Sequence, residues 1–138
     1  MSQSALNFVL SINALQGRIS KRLGMSLAIH GVSLSEFHVL HELANAPEKT
    51  LNRASLAQSV NLSASGVTRL LNPLEKLHLV EKQKNARDAR VSLVHLTAVG
   101  LETYQNAKVT YGQTAETMLA GFDSTELDAV TPVLDKVG

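Results

Sequence analysis

The sequence predicts a mainly α fold (α+β class) that carries one two-stranded β-hairpin, and three observations predict it. Apolar residues recur at helical spacing over most of the chain. Asn52 to Lys76 divides into two short helical stretches separated by a tight turn at Asn61–Ser63. Val80 to Thr97 then holds two alternating apolar–polar runs around a polar tip, Asn85 to Arg90. Helix–turn–helix followed by a basic hairpin is the layout of a winged helix. A cationic hairpin tip has no core to stabilise, so its charge is best explained by an anionic partner.

Each element has a local cause. Leu6, Val9, Leu10, Leu15, Ile19 and Leu23 fall at helical spacing over residues 5–23. Gly24 and Gly31 are expected to bracket a looser connection. Ser33 or Ser35 can cap a second helix, about 36–44, that Asn45-Ala46-Pro47 ends. Asn52 caps the third helix, with Leu56, Ala57 and Val60 on its buried side. Ser63 caps the fourth, from Ala64 to about Leu77, in which Pro73 removes one backbone hydrogen bond and should kink the axis. Strands are expected at about 79–84 and 91–96. Thr97 caps a long fifth helix to about Gly121. Ser124, Leu127, Val130, Val133 and Leu134 suggest a short sixth helix, broken or kinked near Pro132.

On a helical wheel of the fourth helix, Val67, Leu70, Leu71, Leu74 and Leu77 share one side. Ser65, Thr68, Arg69, Asn72 and Lys76 share the other. Short donors and acceptors with two cations suit a DNA major groove. Arg69 can bond guanine in a two-pronged way and Asn72 adenine, Ser65 and Thr68 can meet bases or phosphates, and Lys76 suits a phosphate. Ser63 combines capping with a place beside this face, and Arg53 opens the preceding helix. Lys82, Lys84, Arg87 and Arg90 surround Asp88 in the hairpin. These twelve residues, from Arg53 to Arg90, are the candidate DNA contacts.

In the fifth helix Leu101, Tyr104, Lys108, Tyr111, Ala115, Met118 and Phe122 form a seam at alternating spacings of three and four. That face packs on the chain's own core or on a second copy. Two-fold DNA sites favour a homodimer, and the apolar terminal helices fit one. The expected organisation is therefore one domain over residues 1–138, with a DNA-binding lobe at about 34–96 and dimerisation helices at about 1–33 and 97–138.

Bulk properties exclude several classes. The chain has 138 residues, 44% hydrophobic, a net charge of +1 and no cysteine. Affinity for nucleic acid must come from local clustering, and thiol chemistry is excluded. No run of 18 apolar residues and no basic-then-apolar leader is present, which gives the expectation of a cytoplasmic protein without a membrane partner. No nucleophile elbow, phosphate-binding glycine loop or zinc-protease motif points to an enzyme, and no cofactor is expected. His38 and His41 lie three apart near Glu42, but a metal needs further ligands, and no metal site is expected.

From Leu51 the residues resemble the MarR family of bacterial transcription regulators. The family's usual run, LTxSELAxxLGLSxSTVTRLVDRLEKKGLVER, is matched here by LNRASLAQSVNLSASGVTRLLNPLEKLHLVEK, then by RDAR and VSLVHLTAVG. Asn61 and His78 stand where glycine is frequent, Ala89 replaces a frequent arginine, and Pro73 is unusual. The resemblance implies a winged helix that dimerises through its terminal helices and binds a pseudo-palindromic operator. It places Arg90 in the minor groove and gives Asp88 the task of orienting the wing, beside its plain role as a turn residue. It also implies a repressor released by a small aromatic or anionic effector, for which Ile12, Gln16, Ile19, His30, Phe37 and His38 are the candidate lining. The alternatives are a winged-helix protein-interaction module without DNA binding, and a metal-responsive regulator.

Overall fold

The structure is a computed structural model and describes residues 2–138. Helix α1 spans Gln3–Leu27 and is capped by Ser2, whose hydroxyl accepts from the Ala5 amide. It runs straight through Gly24; the expected break falls instead at Gly31, where φ is 74°. Helix α2, Leu34–Ala44, starts two residues early because Ser33, not Ser35, forms a reciprocal capping box with Glu36. After a turn at Pro47–Lys49 come β1 (Thr50–Asn52), α3 (Arg53–Ser59) and α4 (Ala64–Lys76). Strands β2 (Val80–Lys84) and β3 (Ser92–Leu96) form the hairpin, followed by α5 (Ala98–Met118) and α6 (Ser124–Asp135).

Strand β1 is the element the sequence did not announce. It adds antiparallel to the free edge of β3, Thr50 opposite His95, and gives the order β1-β3-β2. Helix α4 continues through Pro73 to Lys76, and α6 through Pro132 to Asp135, so neither proline breaks its helix. The cap of α6 is Asp123, in a capping box with Glu126.

The core lies between α2, α3, α4 and the sheet. Leu40, Leu43, Leu56, Leu71, Leu74 and Val94 are fully enclosed there. Leu70 is only partly buried and Leu77 is exposed, so the apolar face of α4 is narrower than the wheel suggested. Helix α5 closes the core with Tyr104 and Ala107. Its first turn is pressed against the sheet: a Cβ on Gly100 would stand 1.9 Å from the Leu79 carbonyl oxygen. Thr97 fixes that approach, since its amide donates to the same carbonyl at 3.1 Å. The expected seam of α5 therefore divides. Leu101, Tyr104 and Tyr111 pack on the core, whereas Phe122, beyond the helix end, is exposed. Most of the apolar face of α1 is exposed too, including Leu6, Val9, Leu10 and Leu15.

Candidate nucleic-acid interface

Two tight turns set the attitude of α4. Asn61 (φ 56°) and His78 (φ 60°) are both left-handed, at the positions where the resemblance expects glycine. Between them, the Ser63 hydroxyl caps α4 by accepting from the Gly66 amide at 3.1 Å, and it lies 3.1 Å from the Ser65 hydroxyl. Ser65, Arg69, Asn72 and Lys76 are exposed along one side of the helix. Thr68 differs: it is half-buried, donates to the Ala64 carbonyl and receives the Arg53 guanidinium. Its hydroxyl is thus already engaged on both sides.

The wing is ordered by its own polar residues. The Asn85 carboxamide oxygen accepts from the amides of Arg87 and Asp88 and so bends the tip. Asp88 then holds Arg90 twice, through the backbone amide at 3.0 Å and through the guanidinium at 3.1 and 3.3 Å. The Arg90 bonds keep the Asp88 carboxyl below the usual carboxylate pKa. The Arg90 side chain is 91% exposed, so its direction is set by Asp88 while its charge stays in solvent. Lys82, Lys84 and Arg87 are also exposed. Lys82 reaches Glu75 on α4 at 3.7 Å, which ties the wing to the helix and draws this one cation away from the free set. Arg53 lies in the groove between the two, which Asn52, Ala64, Val91 and Ser92 also line.

The six candidate effector residues do not converge on one place. Ile12, Gln16 and Ile19 line an apolar groove between α1 and α6 with Phe8, Val9, Leu134 and Val137. His30 shares a 2.6 Å hydrogen bond with Thr110 of α5. Phe37 and His38 line a separate cavity of about 320 Å³ between α2 and α5, together with His41, Lys108 and Tyr111. Phe37 is stacked on Tyr111 at 4.8 Å and on Tyr104 at 5.5 Å, and His41 shares a 2.6 Å hydrogen bond with the Tyr104 hydroxyl. Partial desolvation and the neighbouring His41 push the His38 pKa below the usual imidazole value, against a smaller pull from Glu42. Among the described residues no three metal-ligating side chains come together, and the Lys108 ammonium beside His38 and His41 opposes a divalent cation. Lys108, His41 and Tyr111 were missed as cavity residues. Lys108 stood out as the one charge in the α5 seam, but nothing local paired it with α2. No helix among the described residues is long and apolar enough to cross a membrane.

Known proteins share this arrangement. The sequence model of the MarR family matches residues 30–91. The HTH-type transcriptional regulator YdgJ of Bacillus subtilis is 31% identical over 124 residues, covering 89% of this chain and 74% of that protein. The crystal structure of a mutant MarR from E. coli complexed with operator DNA superposes with a TM-score of 0.86 at 20% identity, over 96% of this chain and 94% of that one. CouR from Rhodococcus jostii RHA1, bound to p-coumaroyl-CoA, gives a TM-score of 0.80 at 21% identity, over 94% of this chain and 88% of that one.

Proposed function

The chain belongs to the MarR family, and on that footing we propose that it is a dimeric, sequence-specific DNA-binding transcription regulator. In this reading it represses from a pseudo-palindromic operator and is released by a small aromatic or anionic effector. One observation carries the DNA-binding part. A helix with an exposed row of hydrogen-bonding groups, Ser65, Arg69, Asn72 and Lys76, projects from the same lobe as a guanidinium that Asp88 aims into solvent. A helix in the major groove and a wing arginine beside it make up that grip. Exposed apolar residues on α1 and α6 supply the dimer face, which leaves residues 34–96 as the DNA-binding lobe of a single domain. A protein with this task works where the DNA is, in the cytoplasm.

The effector site is assigned to the α2–α5 cavity. Phe37 and Tyr111 offer aromatic walls, Lys108 offers positive charge for a carboxylate, and the two imidazoles offer ring nitrogens for hydrogen bonds. The cavity lies where the DNA-binding lobe meets α5. A ligand there can favour a different spacing of the two recognition helices, and it releases DNA only by the margin of that preference.

The test is a mobility-shift titration with duplex from upstream of the protein's own gene. Arg90→Ala should weaken binding by about 1–3 kcal/mol and leave the melting temperature nearly unchanged, since the side chain is 91% exposed and its partner is the surface carboxylate of Asp88. Operator binding by this variant equal to that of the parent overturns the wing assignment. Failure of the parent to retard any duplex at low salt favours the protein-interaction module instead.

A further inference from the structure

The groove between the helix pair and the wing holds an unbalanced charge. Arg53 is half-buried at the start of α3, and its Nη2 donates to Thr68 Oγ1. Thr68 Oγ1 in turn donates to the Ala64 carbonyl at 3.0 Å. The hydroxyl proton is committed to Ala64 and an oxygen lone pair to Arg53, so Thr68 fixes the guanidinium in place without neutralising it. The ion pairs among the described residues are Lys82–Glu75 and Arg90–Asp88, and neither involves Arg53. A partly desolvated guanidinium whose partner is a neutral hydroxyl still lacks a counter-charge. It lines a groove of about 490 Å³ whose other wall is the wing base, Arg90 to Ser92. Asp88 already offsets the Arg90 charge, which leaves Arg53 as the uncompensated cation of this groove.

We propose that this groove seats one backbone phosphate of the bound duplex, with Arg53 as its main ligand and Thr68 as a positioning residue that acts through Arg53. The proposal rests on the DNA-binding reading above and changes the task of two residues within it. Thr68 ceases to be a reader of bases. Arg53 becomes the contact that fixes the register of the recognition helix against the wing. Phosphate contacts carry no sequence information but contribute to the salt dependence of binding, which separates this role from base reading.

Affinities of the parent, Arg53→Gln, Arg53→Lys and Thr68→Val for operator and for an unrelated duplex are to be measured across a salt series, with thermal melts to check folding. Arg53→Gln should weaken both duplexes by a similar factor, roughly tenfold per half-site. It should also lower the slope of log K against log salt by about 0.9 per protomer. Arg53→Lys should keep the slope of the parent. Thr68→Val should weaken both duplexes less than Arg53→Gln, with the slope retained. An unchanged slope in Arg53→Gln, or a loss confined to the operator, overturns the proposal. So does inorganic phosphate or a nucleoside monophosphate that raises the melting temperature of the parent but not of Arg53→Gln while the two proteins keep equal duplex affinities and salt slopes, since the groove would then serve a small ligand and not the duplex. A parent that binds no duplex at all fails earlier, at the DNA-binding reading, and is distinguishable from each of these.

Discussion

The DNA-binding lobe and the terminal helices are built from the same apolar residue types and treat them in opposite ways. In the lobe, Leu40, Leu43, Leu56 and Leu71 have no exposed surface. On α1 and α6, Phe8, Val9 and Leu134 remain 41%, 51% and 43% exposed, and Val137, just beyond α6, is 62% exposed. Helix α5 shows both behaviours, with Tyr104 and Ala107 enclosed and Val109 at 62%. Helical periodicity in a sequence therefore says that a face will be covered, but not whether the cover comes from the same chain. The lobe meets its own need. The terminal helices leave theirs open, as the face that the proposed dimer would cover.

The contrast is most sharply tested by truncating one residue of each kind. Leu40→Ala empties part of a closed core and should cost about 2–5 kcal/mol, read as a lower midpoint in chemical unfolding. The parent's melting temperature should rise with protein concentration, as it does when a folded dimer is linked to unfolding, and Leu40→Ala should keep that dependence. Leu134→Asp should do the reverse. It places a charge on the exposed groove of α1 and α6 and should abolish the concentration dependence, with monomer appearing in size-exclusion chromatography. Its operator affinity should fall by more than tenfold, because the two half-sites are then bound independently. A Leu134→Asp protein that stays dimeric would show that another face, such as the exposed end of α5, covers the second copy.

The same contrast explains what could be read from the sequence. Caps are local, and Asn52, Ser63 and Thr97 were each visible because one side chain satisfies an amide three residues away. The polar side of α4 and the cationic tip were visible for a related reason, since both face solvent and answer to no distant partner. Features that depend on distant partners were hidden. Thr50–Asn52 is too short to alternate, and it becomes a strand only because β3 offers a free edge. Thr68 looked like its exposed neighbours until Arg53, fifteen positions away, took its hydroxyl. The cavity around His38 needs Lys108 and Tyr111 from α5, and no local pattern pairs them with α2. The proposed effector residues scattered for this reason, with Ile12 and Ile19 going to the terminal-helix groove and Phe37 to the core.

The smallest effect concerns the turn that ends α4, where a local signal was legible and its cost is measurable. His78 holds φ at 60° with a Cβ attached, a conformation that disfavours an ordinary residue by about 1–2 kcal/mol. The bonds that define the turn are made by its backbone. Its amide donates to the Glu75 carbonyl at 2.9 Å, and its carbonyl accepts from Thr97 Oγ1 at 2.6 Å. Glycine keeps both bonds and removes the steric cost, while the unfolded chain gains freedom that offsets part of the benefit. His78→Gly should therefore stabilise the lobe by about 0.5–1 kcal/mol, and Asn61→Gly by less, because asparagine tolerates this region better. Both gains should appear in chemical unfolding and leave the concentration dependence of melting as it is in the parent, because the two turns belong to the closed lobe. Lower stability in His78→Gly would mean that the imidazole, exposed as it is, holds the turn through its side chain.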